Sequence, residues 1–194
     1  DVSDEAQVNA MGEQLEAQLG TVDVAFLNAG VVLPGDDYDS SFDTWKKTID
    51  IDLNGMFLCG QLAQKMMRRH GHGGSIIMTS SISGYVMNHM AGNPNPIMAY
   101  AAAKAGVSQY ARALAAFSVR DGIRVNTIAP GYVWSGIHEG LMTEQAHDVA
   151  NQEIPMRRFG RTDELHGPLL FLASDASSYI TGINIPVDGG YLIA

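Results

Sequence analysis

The chain has 194 residues, 46% hydrophobic and 17% charged, enough apolar material for one domain with a sizeable core. Its 12 Lys and Arg against 21 Asp and Glu leave a net charge of −9, which excludes nucleic-acid binding through a basic face, because neutralising phosphates needs clustered cations. No apolar run reaches the roughly 20 residues that span a bilayer, so no membrane partner is expected. Cys59 is the one cysteine, so no internal disulfide can form, and a reducing, cytoplasmic setting is expected. No basic stretch followed by an apolar core opens the chain, and no secretory signal is expected.

Residues 4–19 carry Val8, Met11, Leu15 and Leu19 at spacings of three and four, which predicts a helix with Ser3 as N-cap and Gly20 beyond its end. Val22 to Leu27 is a strand-sized apolar run closed by Asn28-Ala29-Gly30. Residues 31–40 read as loop, and the acidic Asp36, Asp37 and Asp39 within it as solvated. A long helix is predicted from Ser41 to Arg69, with Phe42, Trp45, Ile49, Leu53, Phe57 and Met66 on a broad apolar stripe. The Gly-rich stretch His70 to Gly74 breaks it and leads into a strand from Ser75 to Thr79.

Residues 80–98 read as irregular, since Asn93-Pro94-Asn95-Pro96 continues no regular element. A helix follows from about Ala99 to Val119, then a strand from Arg124 to Ala129 stopped by Pro130-Gly131. A segment to Met156 carries Trp134, Ile137, Leu141 and Met142, spaced as on a small amphipathic helix. A helix from Thr162 to Leu172 and a strand from Ile183 to Val187, before Asp188-Gly189-Gly190, complete the pattern. Four short strands separated by helices require right-handed crossovers, so the fold class is α/β with a doubly wound parallel sheet in one domain. Ligands of such sheets bind beyond the carboxyl ends of the strands, which points to the residues after Leu27, Thr79, Ala129 and Val187.

Chemistry concentrates there. Tyr100 and Lys104 lie four apart, on one face of a predicted helix. A phenol is too weak an acid to work as a base at neutral pH, but a neighbouring ammonium and the positive end of a helix both favour its phenolate. The bland alternative is a core tyrosine beside a solvated lysine. Ser81 follows a strand and could polarise a carbonyl; Ser80 and Ser83 are rivals, and any of the three could be a plain turn former.

Taken in order, Asp1-Val2-Ser3-Asp4, Asn28-Ala29-Gly30, Ser81-Ile-Ser-Gly84, Tyr100-Ala-Ala-Ala-Lys104, Arg124-Val125-Asn126, Pro130-Gly131 and Val187-Asp-Gly-Gly190 resemble the short-chain dehydrogenase/reductase family. The resemblance implies a Rossmann-type fold and hydride exchange between NAD or NADP and an alcohol or ketone, a small-molecule substrate. It implies that Tyr100 is the general acid/base, that Ser81 bonds the substrate oxygen, and that Lys104 lowers the Tyr100 pKa and holds the nicotinamide ribose. Asp1 and Val2 would lie at the adenine, Asn28, Ala29 and Gly30 along the adenosine ribose, and Pro130, Gly131, Val133 and Ser135 by the nicotinamide. A homodimer or homotetramer, packed helix to helix, is implied as well, and a lid over residues 132–156.

Two departures stand out. Asp52 occupies the place of a family asparagine that relays protons from the lysine; a carboxylate there could accept from a relay water, or serve only a helix kink. The opening strand and Gly-rich phosphate turn of the family have no counterpart here, so the chain is expected to be N-terminally incomplete, and the choice of NAD or NADP is not readable. The stretch Ser81 to Asn88 and the tail from Ser178 to Tyr191 resemble the polyol dehydrogenase and ketose reductase branch, which makes a sugar alcohol and its ketose the first expectation and gives Ser83, Asn88 and Trp134 as substrate contacts. A 3-oxoacyl thioester or steroid ketone is the second. A non-catalytic binding or assembly relative is the alternative of another class. Met87, Met90 and Met98 could line the substrate or fill core, and His70-x-His72 lacks the further ligands a metal would need.

Overall fold

The computed structural model describes residues 1–87, 97–134 and 144–194, the side chains of 144–147 excepted. Strands β1 (Val24–Leu27), β2 (Gly74–Thr79), β3 (Ile123–Pro130) and β4 (Asn184–Val187) form one parallel sheet in the order β1-β2-β3-β4. Helices α1 (Glu5–Leu19), α2 (Phe42–Ile49), α3 (Gly55–His70), α4 (Met98–Ser118), α5 (Glu144–Glu153) and α6 (His166–Ala173) connect them. The expected α/β architecture is therefore present, with every strand pair parallel.

The central strand shows why its sequence is apolar without alternation. Ile76 and Met78 meet Met56, Ala63 and Met67 of α3 and Val107, Ala111 and Ala115 of α4 on one face. Ile77, between them, turns to the other face, against Leu172 of α6 and Ile128 of β3. A strand covered on both sides has no polar face to show. Arg124-Val125-Asn126 turns out to be a stapling motif. Arg124 donates to the carbonyl of Leu172, and the buried Asn126 amide donates to the Ile180 carbonyl and accepts from Ile183 N, so β3 fixes the return to β4.

Three expectations about elements are corrected. Asp4, not Ser3, caps α1, its carboxylate accepting from Gln7 N at 3.0 Å, while the Ser3 hydroxyl is spent on Asp1. The long helix is not one α-helix, because Asp50–Asn54 forms a π-helical turn between α2 and α3. Such a turn widens the ring of backbone hydrogen bonds by one residue and re-aims the side chains it carries. Thr162–Leu165 is a 3-10 turn, and α6 proper begins only at His166.

Among the described residues no strand pairs with the outer edge of β1. Val24 and Phe26 are 44% and 40% exposed, and a cleft of about 580 Å3 with apolar walls lies between α1, β1 and α3. No described helix is long and apolar enough to cross a membrane.

Candidate active site

The carboxyl ends of β1, β2 and β3 open on one side of the sheet, and α4 runs past them. Ser80 and Ser81 leave β2 in different directions. Ser80 is buried, its hydroxyl donating to the Lys104 carbonyl and paired with Ser108 at 2.6 Å, so it braces α4. Ser81 is extended, its hydroxyl oxygen accepts from Ser83 N at 3.1 Å, and the hydroxyl is hydrogen-bonded with Tyr100. The 3-10 turn Ile82–Gly84 then lies directly on the α4 backbone. A Cβ on Gly84 would sit 2.9 Å from Ala105 N, so only glycine permits an approach close enough to bring Ser81 beside Tyr100.

Tyr100 and Lys104 share the face of α4 that meets these strand ends. The Lys104 ammonium is 2% exposed, donates to the Thr79 carbonyl at 3.3 Å and lies over the Tyr100 ring, 5.3 Å from its centroid. Asp52, wholly buried in the π-turn, places Oδ1 3.7 Å from the Lys104 Nζ and accepts from Val31 N at 2.8 Å with the same oxygen. Its Oδ2 is buried without a hydrogen-bond partner. Asn54, two residues on, points elsewhere and donates to Asp50. Burial pushes Asp52 up and Lys104 down, and each one's charge pulls the other back.

Burial pushes Tyr100 up to about 12; hydrogen bonding with Ser81 pulls it down, and the Asp52 charge pushes it further up. The carboxylate beside Lys104 offsets what the ammonium would do for a phenolate. A phenol so raised keeps its proton across the neutral range.

These groups share one cleft of about 350 Å3. Its floor holds Thr79, Ser81, Tyr100 and Lys104; Asn28, Gly30 and Val32 form one wall, and Pro130, Gly131, Tyr132 and Val133 the other. The residues expected at the nicotinamide end thus meet around the phenol, apart from Ser135, which lies outside the described residues. The Asn28 side chain accepts from the Thr79 hydroxyl and ties β1 to β2. Ala29 and Val2 face the apolar cleft, which adjoins the first at Asn28, and Asp1 lines a separate hollow with Val2 and α1. Ser83 lines the Tyr100 cleft, Asn88 is outside the described residues, and Trp134 packs against Phe159 with ring centroids 6.0 Å apart rather than on the cleft. Met87 and Met98 are exposed and line neither cleft, and Met90 is not described. No group of three metal-ligating side chains occurs among the described residues. Residues 135–143 of the expected lid are likewise outside them.

The donor set suits the nicotinamide and ribose part of NAD or NADP. A buried ammonium on the cleft floor has donors to spare for ribose hydroxyls. Gly30 packs directly on this ammonium and its Asp52 partner, for a Cβ would stand 2.6 Å from Asp52 Oδ1 and 2.9 Å from Lys104 Nζ. Sequence reasoning missed one residue in this region. Asp36 is not solvated but buried, and its two carboxylate oxygens accept from Ala99 N and Tyr100 N at 2.8 and 2.9 Å.

Comparison with known proteins agrees with this geometry. A family profile described as Enoyl-(Acyl carrier protein) reductase matches residues 1–192. The NADP-dependent mannitol dehydrogenase of Hypocrea jecorina is 37% identical over 189 residues, 97% of this chain and 68% of that protein. A sorbose reductase of Candida albicans is 38% identical over 192 residues, 98% of this chain and 66% of that one. A short-chain type dehydrogenase/reductase from Mycobacterium marinum, solved by crystallography, matches with a TM-score of 0.93 at 37% identity, covering 100% of this chain and 74% of its own. The chain belongs to the short-chain dehydrogenase/reductase family of NAD(P)-dependent oxidoreductases.

Proposed function

We propose that this chain carries the proton-transfer end of an enzyme that interconverts a secondary alcohol and its ketone, with a sugar alcohol and its ketose as the substrate pair. One observation carries the reading: Ser81, Tyr100 and Lys104 converge on a single cleft, while the rival Ser80 is committed to α4. Gly30, Lys104 and Pro130 to Val133 would hold the nicotinamide, which when bound would supply or take up the hydride. Ser81 donates a hydrogen bond to the substrate oxygen, keeping its own proton, and stabilises charge that develops there. Tyr100, a neutral phenol, gives its proton to that oxygen in ketone reduction. In alcohol oxidation the phenolate must take the proton, so oxidation is the pH-limited direction. Lys104, held by Thr79 and Asp52, presents its remaining donors to the ribose hydroxyls. Asp52 holds the Lys104 ammonium, and its charge opposes the Tyr100 phenolate.

The mannitol dehydrogenase and sorbose reductase relatives support a polyol, and the stretch from Ser81 to Asn88 agrees with them. The description of the matching family profile favours a second reading, reduction of an acyl thioester. We propose further that residues 1–194 form one Rossmann-type unit whose phosphate-binding strands and Gly-rich turn lie outside this sequence; the uncovered β1 edge and the fraction of each relative that is matched support this. A cytoplasmic homodimer or homotetramer completes the reading, supported by the buried free Cys59 and by the exposed Phe57 on α3 and Phe117 on α4.

Nicotinamide absorbance decides among these readings, with the full-length protein, NADH and NADPH, and a panel of ketoses, simple ketones and 3-oxoacyl thioesters. Ketose turnover that Tyr100→Phe abolishes is the expected result. Turnover confined to thioesters selects the second reading, and none with any compound, in wild type or variant, would leave a binding relative.

A further inference from the structure

Helix α4 begins without a cap of its own. Its N-cap residue is Ile97, in extended conformation, whose side chain can accept no hydrogen bond. The first N–H groups of any helix lack intrahelical acceptors, so these need one from elsewhere. Asp36 provides it from 63 and 64 residues away, one carboxylate oxygen to Ala99 N and the other to Tyr100 N. The carboxylate is 5% exposed and sits at the positive end of the helix, where a negative charge is favoured. Its loop is itself anchored, by Val31 N on Asp52 and by Ser40, whose hydroxyl bonds the Gly35 carbonyl and accepts from Asp37 N.

Tyr100 is the third residue of α4, inside this capped turn, whereas Lys104 lies one turn deeper with its own contacts to Thr79 and Asp52. Loss of the cap therefore frees the phenol and leaves the ammonium in place. We infer that Asp36 is a positioning residue, holding Tyr100 at its distance from the substrate oxygen by capping α4 from the loop after β1. The inference rests on the proton-transfer role proposed for Tyr100. It adds that the loop after β1 sets the catalytic geometry, because the same loop supplies Gly30 and Val32 to the cleft wall.

The test compares Asp36→Ala, Asp36→Asn, Asp39→Ala and Tyr100→Phe in the full-length protein, with kcat per folded molecule, KM for the nicotinamide and Tm measured for each. A phenol displaced by about 1 Å loses on the order of 10–100-fold in rate, so Asp36→Ala should lose that in kcat with cofactor KM nearly unchanged. Asp36→Asn keeps the volume and one of the two acceptors and should fall between Asp36→Ala and wild type. Asp39→Ala, in the same loop but exposed, should match wild type. Wild-type kcat in folded Asp36→Ala, or in Asp36→Asn should the alanine variant not fold, overturns the inference however far Tm drops. A Tyr100→Phe variant with undiminished turnover overturns instead the role given to Tyr100, and so separates the two failures.

Discussion

Two clefts meet at Asn28, and they are built on opposite principles. In the one that holds Tyr100, polar groups are committed in fixed directions: Ser80 to α4, Asn28 to Thr79, Lys104 to the Thr79 carbonyl and Asp52 to Val31 N. In the other, between α1, β1 and α3, the walls are Met11, Leu15, Phe26, Leu62 and Met66, and Asn28 is the one amide side chain in the lining. The first can hold a reacting group still. The second offers apolar area and, among the described residues, an unpaired strand edge, which suits a packing surface.

The contrast breaks if the polar cleft tolerates loss of its charges. Lys104→Met removes the cation and leaves Asp52 buried without its counter-charge. Removing one partner of a buried pair costs about 3 kcal/mol, so chemical denaturation should show a loss of that order together with near-complete loss of turnover. Adding Asp52→Leu should restore much of the stability and none of the activity. A fully active Lys104→Met enzyme would abolish the distinction between the clefts.

Next in size is the difference between neighbouring serines. Ser81→Ala should lower kcat about 100-fold by removing a donor to the developing oxyanion. Ser80→Ala should leave kcat within a few-fold and cost about 1 kcal/mol, the worth of its bond to α4. Steady-state kinetics and denaturation of both variants check this, and equal kinetic effects would show that the two hydroxyls are not separated in role.

The apolar cleft yields a prediction of the opposite kind. Where a further segment of the full-length protein covers β1, Phe26→Ser should cost about 3 kcal/mol and leave kcat of the folded enzyme unchanged. An unaltered Tm would mean that Phe26 stays in solvent. The smallest expected effect is a shift of a pH profile. The Asp52 charge raises the Tyr100 pKa, so Asp52→Asn should lower it and move the rising limb of alcohol oxidation to lower pH. A limb moved to higher pH would mean that Asp52 serves the phenolate through Lys104 more than it opposes it.

What could be read from the sequence depended on how far apart the interacting residues lie. Tyr100 and Lys104 were legible because one helical turn separates them, and β2 because burial on both faces leaves an unbroken apolar run. The position of Asp52 was legible from its neighbours, Leu53 to Phe57. Its bond to Val31 and the π-turn that aims it were not, since both depend on packing between distant segments. Asp36 was misread because Asp36-Asp37-Tyr38-Asp39 has the composition of a solvated loop, while its partners lie past residue 98. One sequence signal pointed to it: Ile97, at the start of a strong helical pattern, cannot cap a helix. The packing of Trp134 against Phe159 was not legible, because Phe159 is supplied by a later turn.

The most direct measurement is the rate of alcohol oxidation against pH for the full-length enzyme and for Tyr100→Phe. With the phenol at about 12, the wild-type rate should climb about tenfold per pH unit from neutrality upward, while ketone reduction stays level over the same range. Tyr100→Phe should lower the oxidation rate about 100-fold or more and flatten the climb. A variant that kept both the rate and the climb would show that the proton travels through another group and that Tyr100 is a wall of the cleft.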